Sequence, residues 1–449
     1  MSFAAASTPS VSPTSRLALR GDLLDFVAQA EWGELETSAL RFQPDHWLLI
    51  ENGRVQGTQA QAPDAAEGWD LQDFSGRLIL PGFIDSHVHC PQLDVIASYG
   101  AELLDWLNTY TFPAECRYAD PAVAQQGAQR FLDALLAHGT TAAVVFPTVH
   151  KVSVEALFAA AEQRGMRLIT GKVLMDRNAP PALLDDVQSA ERDCLDLISR
   201  WHGRGRLAYA VTPRFAPTST PAQLAMAGAL CRADASLFMQ THVAENRDEV
   251  RWVAELFPTA RSYLDVYERA GLLHPRALLA HGIWLDEADR RALARSGAQL
   301  VFCPSSNLFL GSGLFDWPAA HQAGVNISLA SDVGGGSSLS MQRNLLDAYK
   351  VQALAGRRMT AWSGLYAATR GAAEALGLAQ EMGHFGVGTL ADVCVWDWAQ
   401  GPVARARDEV VRGLHERVFA WMCLSDERNL LRSYVSGKIR YSRDEGMKG

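Results

Sequence analysis

Two histidines, His87 and His89, follow an apolar run containing Phe83 and Ile84 that opens on the turn pair Pro81-Gly82. On a strand, side chains at i and i+2 share a face. The two imidazoles therefore project together and can hold one borderline-soft divalent ion such as zinc. Further donors close later apolar runs. His242 ends residues 237–242, with Glu245 three positions on; His281 ends Ala277–His281; Asp332 ends residues 327–332. Singly, each reads as a hydrogen-bonded core histidine or a helix-capping aspartate. Recurring at strand ends, they read as one metal site.

A catalytic zinc keeps one position open for water and lowers its pKa to about 7. His87, His89, His242 and Asp332 are expected as the ligands of one Zn2+ per chain. Asp332 can also accept a hydrogen bond from the water, and Glu245 is expected to shuttle protons. His281 is either a fifth ligand or a group that orients the nucleophile, and the second role is the expectation adopted. The fourth strand ends in Pro213-Arg214-Phe215, with no lysine to carry a bridging group. A single metal follows, and Lys172 reads as structural.

These residues need a scaffold that brings many strand ends together. From residue 83 onward, apolar strands alternate with amphipathic helices. Strands are expected at residues 140–147, 168–174, 207–212, 236–242, 277–281, 299–302 and 326–331, and helices at 121–138 and 286–295. With the strand at Phe83 this gives eight β/α units, the number that closes a TIM-type barrel, whose catalytic groups sit at the carboxyl ends of the strands. Both ends of the chain read as β instead. Asn52-Gly53 between extended runs signals a hairpin, and residues 386–396 and 433–439 return to strand patterns. The expected organisation is α/β: a disordered tail over 1–15, a (β/α)8 barrel over 79–383, and a small composite β domain built from 16–78 and 384–449.

A chain of 449 residues that is 48% apolar has ample material for a large core. A net charge of −9 with both signs interspersed argues against a nucleic-acid partner. No run of eighteen apolar residues suggests a membrane span, and the small, polar opening lacks the layout of a signal peptide. Seven scattered cysteines without a CxxC pair suit free thiols in a reducing cytoplasm.

The histidine pair, His242, His281 and Asp332 within an eightfold β/α pattern resemble the amidohydrolase superfamily. Five stretches resemble its guanine deaminase branch: residues 87–92 (HVHCPQ), 103–115 (LLDWLNTYTFPAE), 212–217 (TPRFAP), 241–246 (THVAEN) and 303–308 (CPSSNL). That resemblance implies hydrolysis of guanine to xanthine and ammonia on one zinc, in a homodimer. By matching position it implies that Gln92 and Arg214 bond the purine edge, Arg214 at O6. Phe215 would help form the base pocket, and His89, His242, Glu245 and Asp332 would also border the substrate. Ala330-Ser331 stand before Asp332 where Gly-Thr is common. Two other readings compete: a barrel deaminase or chlorohydrolase acting on another heterocycle (a triazine, cytosine or an adenosine-like ring), and a metal-free scaffold. The 103–115 element with Gln92 and Arg214 argues against the first. The complete donor set argues against the second.

Overall fold

Strands that are apolar on both faces, such as Thr140–Phe146 and Leu207–Pro213, are buried at every residue, as strands in a parallel sheet covered on both sides must be. The structure, a computed structural model, describes residues 15–99, 102–444 and 446–447. The expected N-terminal tail lies outside these residues except for Ser15.

Eight parallel strands follow in chain order, each bonded to the next: Phe83–His89, Thr140–Phe146, Arg167–Thr170, Leu207–Pro213, Phe238–Val243, Ala277–His281, Gln299–Phe302 and Ile327–Leu329. The last strand returns to the first. Asp332 N donates to His87 O at 3.0 Å and His89 N to Val333 O at 2.9 Å, which stitches the barrel seam. Asp85 reinforces the seam by accepting from Ser331 N at 3.0 Å and from the Ser331 hydroxyl. Ile84, Val144, Ile169, Ala210, Leu278 and Val301 pack together in one core. Helix residues such as Phe131, Leu132 and Leu135 pack in a second, larger one. The helix expected over 121–138 is Pro121–Ala137, started by Pro121 and by Asp120, which accepts from Ala122 N at 2.7 Å.

One expected strand is broken. Residues 168–174 form Arg167–Thr170 and then, after Gly171-Lys172, the two-residue strand Val173–Leu174 beside Leu207–Pro213. Gly171 lies so close to the Ala210 carbonyl that any side chain would collide with it, and this close approach interrupts the ladder.

Both chain ends build the second sheet. Its strands lie in the order Gly446–Met447, Lys438–Ser442, Leu430–Val435, Val393–Trp396, Trp69–Pro81, Arg16–Phe26, Leu40–Glu51 and Arg54–Gln59. The Asn52-Gly53 hairpin forms, with φ of 51° and 76° at the two turn residues. Trp69–Pro81 belongs to this sheet, and the barrel begins just after it at Phe83. The C-terminal segment, read from sequence as strands alone, also carries helices Gly401–Asp408 and Leu414–Leu424. No helix among the described residues is long and apolar enough to cross a membrane.

Trp396 docks the small sheet on the barrel. It is fully buried, with its ring 5.8 Å from that of Phe83 and 5.6 Å from that of Trp421. Truncating a buried aromatic costs about 3–5 kcal/mol through lost burial and a residual cavity. Trp396→Ala is therefore expected to lower unfolding stability by that amount in a denaturant titration. A loss under about 1 kcal/mol would show that the two sheets do not depend on this contact.

Candidate active site

Every donor singled out in the sequence sits where a barrel strand ends. His87 and His89 end the first strand, His242 is next to last in the fifth, and His281 ends the sixth. Asp332 lies just past the eighth. Three non-glycine residues here adopt left-handed backbone: Ala244 (φ 47°), His281 (φ 71°) and Asp332 (φ 49°). Such conformations cost about 1–3 kcal/mol each and persist only where surrounding structure fixes them. They turn the chain sharply, so that His281, Asp332 and, through Ala244, Glu245 all border one cavity.

His89 Nε2 lies 3.2 Å from His87 Nε2 and 3.3 Å from His242 Nε2. Asp332 Oδ1 lies 3.3 Å from the Nε2 atoms of both His87 and His89. His242 donates from Nδ1 to the Arg214 carbonyl at 2.7 Å, which leaves its Nε2 lone pair facing the cluster. Burial pushes His89 down to about 3, against the pull of Asp332. Burial, followed by the neighbouring imidazoles, also drives His242 well below its ordinary value. Asp332 is held well below the carboxylate range despite its burial, because His87 and His89 bond to it. Imidazole nitrogens this close to one another and to an ionised carboxylate form an arrangement that a bound cation would hold together. A tetrahedral zinc with arms of about 2.0–2.1 Å sets its ligand atoms about 3.3 Å apart. The four residues fit that ion.

The remaining predicted groups border the same space. Glu245 Oε1 accepts from the Ser312 hydroxyl at 2.9 Å. Burial pushes its carboxyl up to about 8, with the charge of Asp332 adding to the effect. His281 donates from Nδ1 to Asn307 Oδ1 at 3.0 Å. Its Nε2 points at Glu245 Oε2 (3.4 Å) and Asp332 Oδ2 (3.7 Å). His281 stands outside the grouping of His87, His89, His242 and Asp332. An alternative grouping, His87, His281, Cys303 and Asp332, reuses two of those donors, so the two sets cannot fill independently. Lys172 is buried and spent on the Val149 carbonyl and Asp185.

The cavity walls carry Gln92, Arg214 and Phe215, joined by Trp106 and Leu107 from the 103–115 stretch. That stretch is helical, running through Leu103–Trp106, Leu107–Thr111 and Phe112–Cys116. Arg214 is not a free cation. Its Nη1 donates to both carboxylate oxygens of Glu115 at 2.8 Å, and its guanidinium lies over Phe112 at 5.3 Å.

Residues 78–440 match the amidohydrolase family model. Guanine deaminase of Escherichia coli (strain K12) is 42% identical over 433 residues, spanning 95% of this chain and 98% of that protein. The chain belongs to the amidohydrolase family, among its guanine deaminases. The solved structure of the E. coli guanine deaminase covers 95% of this amidohydrolase and 99% of its own chain with a TM-score of 0.91. Guanine deaminase from C. acetobutylicum, solved with guanine bound in the active site, is 27% identical, with a TM-score of 0.85 over 95% of this chain and all of that one.

Several residues of this amidohydrolase site were not foreseen. Glu249 borders the cavity and accepts from the backbone N–H groups of Glu245 (2.8 Å) and Asn246 (3.1 Å), while Tyr263 donates to its other oxygen at 2.7 Å. The spacing Asn246-x-x-Glu249 is a capping-box signature and could have flagged it. Asp85 and Ser331 pair across the seam, a contact between strands far apart in sequence that no local pattern announces. Cys303 and Glu115 stood inside recognised stretches, but their partners were not legible.

Proposed function

We propose that this chain hydrolyses guanine to xanthine and ammonia, using one zinc ion held by His87, His89, His242 and Asp332. The observation that carries the reading is one cavity lined by His89, His242 and Asp332 of the donor set, with His87 grouped behind them, and by Glu245, Gln92, Arg214 and Phe215. The bound zinc supplies Lewis acidity, which makes water a nucleophile at neutral pH. Glu245 takes a proton from the attacking water and hands it to N3 of the ring, so charge does not accumulate there as C2 is attacked. Asp332 moves a second proton to the departing amine. His281, fixed by Asn307, orients the water between Glu245 and Asp332. Gln92 and Arg214 hold the purine edge, Arg214 at O6, and Phe215 packs on the ring. Free thiols at all seven cysteines support a reducing, cytoplasmic setting. The homodimer implied by the family resemblance completes the reading.

Ammonia release from guanine, adenine, cytosine and ammeline tests the substrate. Guanine turnover alone is the expected result, and preference for another ring would overturn the assignment. Protein purified without added metal is expected to hold about one zinc per chain, as a single open site requires. Two equivalents, or iron instead, would contradict the site. Arg214→Ala is expected to lower kcat/KM for guanine at least tenfold, in line with about 1.5–3 kcal/mol for a hydrogen bond to a charged group. Unchanged guanine kinetics would remove Arg214 from the pocket.

A further inference from the structure

Glu115 is wholly buried, and so is the arginine it binds. The two bonds from Arg214 Nη1 reach both of its oxygens, the geometry of an ionised carboxylate. Burial raises the carboxyl above its ordinary range, while Arg214 and the Gln92 side chain counter that effect. Gln92 is itself oriented from the far side, where its Oε1 accepts from Gly334 N at 3.1 Å. The amide end of Gln92 is thereby left to face Glu115 and the cavity. Gln92 lies on the short helical turn Pro91–Val95 after the first barrel strand and Arg214 just past the end of the fourth, and Glu115, on the helical 103–115 stretch, lies against both. A guanidinium buried without a counter-charge would be unstable and would attract anions. Paired through Nη1 alone, it becomes a compensated donor whose remaining N–H groups can meet a neutral acceptor.

We propose that Glu115 is the specificity-determining positioning residue of this pocket: it fixes Arg214 and Gln92 as one charge-compensated rank of donors that selects a neutral ring carrying a carbonyl at the position opposite Arg214. The inference rests on the guanine reading and deepens it, because it assigns recognition of the 6-oxo group to a triad instead of to Arg214 alone. It also gives the 103–115 stretch a chemical purpose. The stretch delivers a counter-charge and an aromatic face, Phe112, to the arginine.

The test uses the full-length, metal-replete protein and Glu115→Gln, which keeps shape and one acceptor oxygen but removes the charge. Three quantities are measured: KM and kcat for guanine, the competitive Ki of hypoxanthine (which keeps the 6-oxo group and has no amine to lose), and the Ki of unsubstituted purine, which lacks both. Guanine KM and hypoxanthine Ki are expected to rise together by about tenfold, the scale on which a polar site rejects a ligand that leaves its groups unpaired. Purine Ki is expected to move far less, and kcat less than KM. In an Arg214→Ala background, adding Glu115→Gln should raise hypoxanthine Ki by clearly less than it does alone, since only the Gln92 leg remains to be lost. Equal weakening of hypoxanthine and purine, or additive effects in the double variant, would make Glu115 merely structural and overturn the proposal. So would an unaltered hypoxanthine Ki in Glu115→Gln. If that single variant fails to fold, Glu115→Asp, which keeps the charge but shortens its reach, is read by the same ratio of Ki values. An unmodified protein that binds hypoxanthine but releases no ammonia from guanine would overturn the proposed reaction instead, leaving the role of Glu115 to stand or fall on the Ki ratio.

Discussion

Glu245→Gln is expected to reduce kcat for guanine by about 10²–10⁴, the usual worth of a positioned acid–base group. Zinc content, thermal stability and guanine KM should stay near those of the unaltered protein. The contacts of Glu245 explain why the substitution separates roles so cleanly. Its backbone N–H is held by Glu249 and its Oε1 accepts from Ser312, and glutamine preserves both. Only the capacity to carry a proton disappears. Burial and the nearby Asp332 carboxylate favour the protonated form of Glu245, whereas a cation bound by the neighbouring donors pulls in the other direction. The carboxyl is thus poised between accepting and donating. A variant that loses stability yet keeps its turnover would make Glu245 a loop brace and move proton transfer to another group.

Asp332→Ala should have the other large effect, in two separate measurements. Even residues that only support metal ligands are worth about 10–100-fold in metal affinity, so losing the sole anionic donor should weaken zinc retention by more than about 100-fold. Elemental analysis after dialysis against a mild chelator reads this directly, without reference to turnover. Guanine turnover should fall below detection, because the same substitution removes the acceptor at Asp332 Oδ2 that His281 faces. A variant that retains a full zinc equivalent would show that the three histidines suffice and that Asp332 serves only in proton transfer.

The barrel and its donor set were readable because both depend on local patterns. An apolar run specifies a buried strand, a ligand residue at its close marks the end at which chemistry sits, and eight such strands, four of them closing on or just before a proposed donor, leave few arrangements. Ala277–His281 and Gln299–Phe302 were placed to the residue. The third strand was not, since the packing of Gly171 against Ala210 involves two distant segments. The two C-terminal helices were missed as well. Gly401–Asp408 has no buried residue and so shows no apolar stripe, whereas Leu414–Leu424 buries Val418, Trp421 and Met422 at helical i, i+3, i+4 spacing, a signal that was present in the sequence. In the site, types and strand positions were legible but pairings were not. Arg214 could be named as a pocket residue, but nothing at position 115 announced that it would neutralise it. The backbone turn at Ala244 had no sequence signal, and those at His281 and Asp332 only the weak one that histidine and aspartate enter the left-handed region more often than other non-glycine residues.

The neighbour order of the second sheet carries a consequence for how the chain is made. Trp69–Pro81 ends in Leu78, Ile79 and Leu80, all buried, and its partner on that side is Val393–Trp396. On a ribosome, the N-terminal strands emerge first, while that partner appears only after the whole barrel has been translated. At ~5–20 residues per second the interval is roughly tens of seconds. Throughout it, an apolar strand edge stands open with its N–H and C=O groups unpaired, the kind of edge that recruits strands from other chains. The nascent chain is therefore most exposed to aggregation while the barrel is being built, and the segment containing Val393–Trp396 ends that exposure.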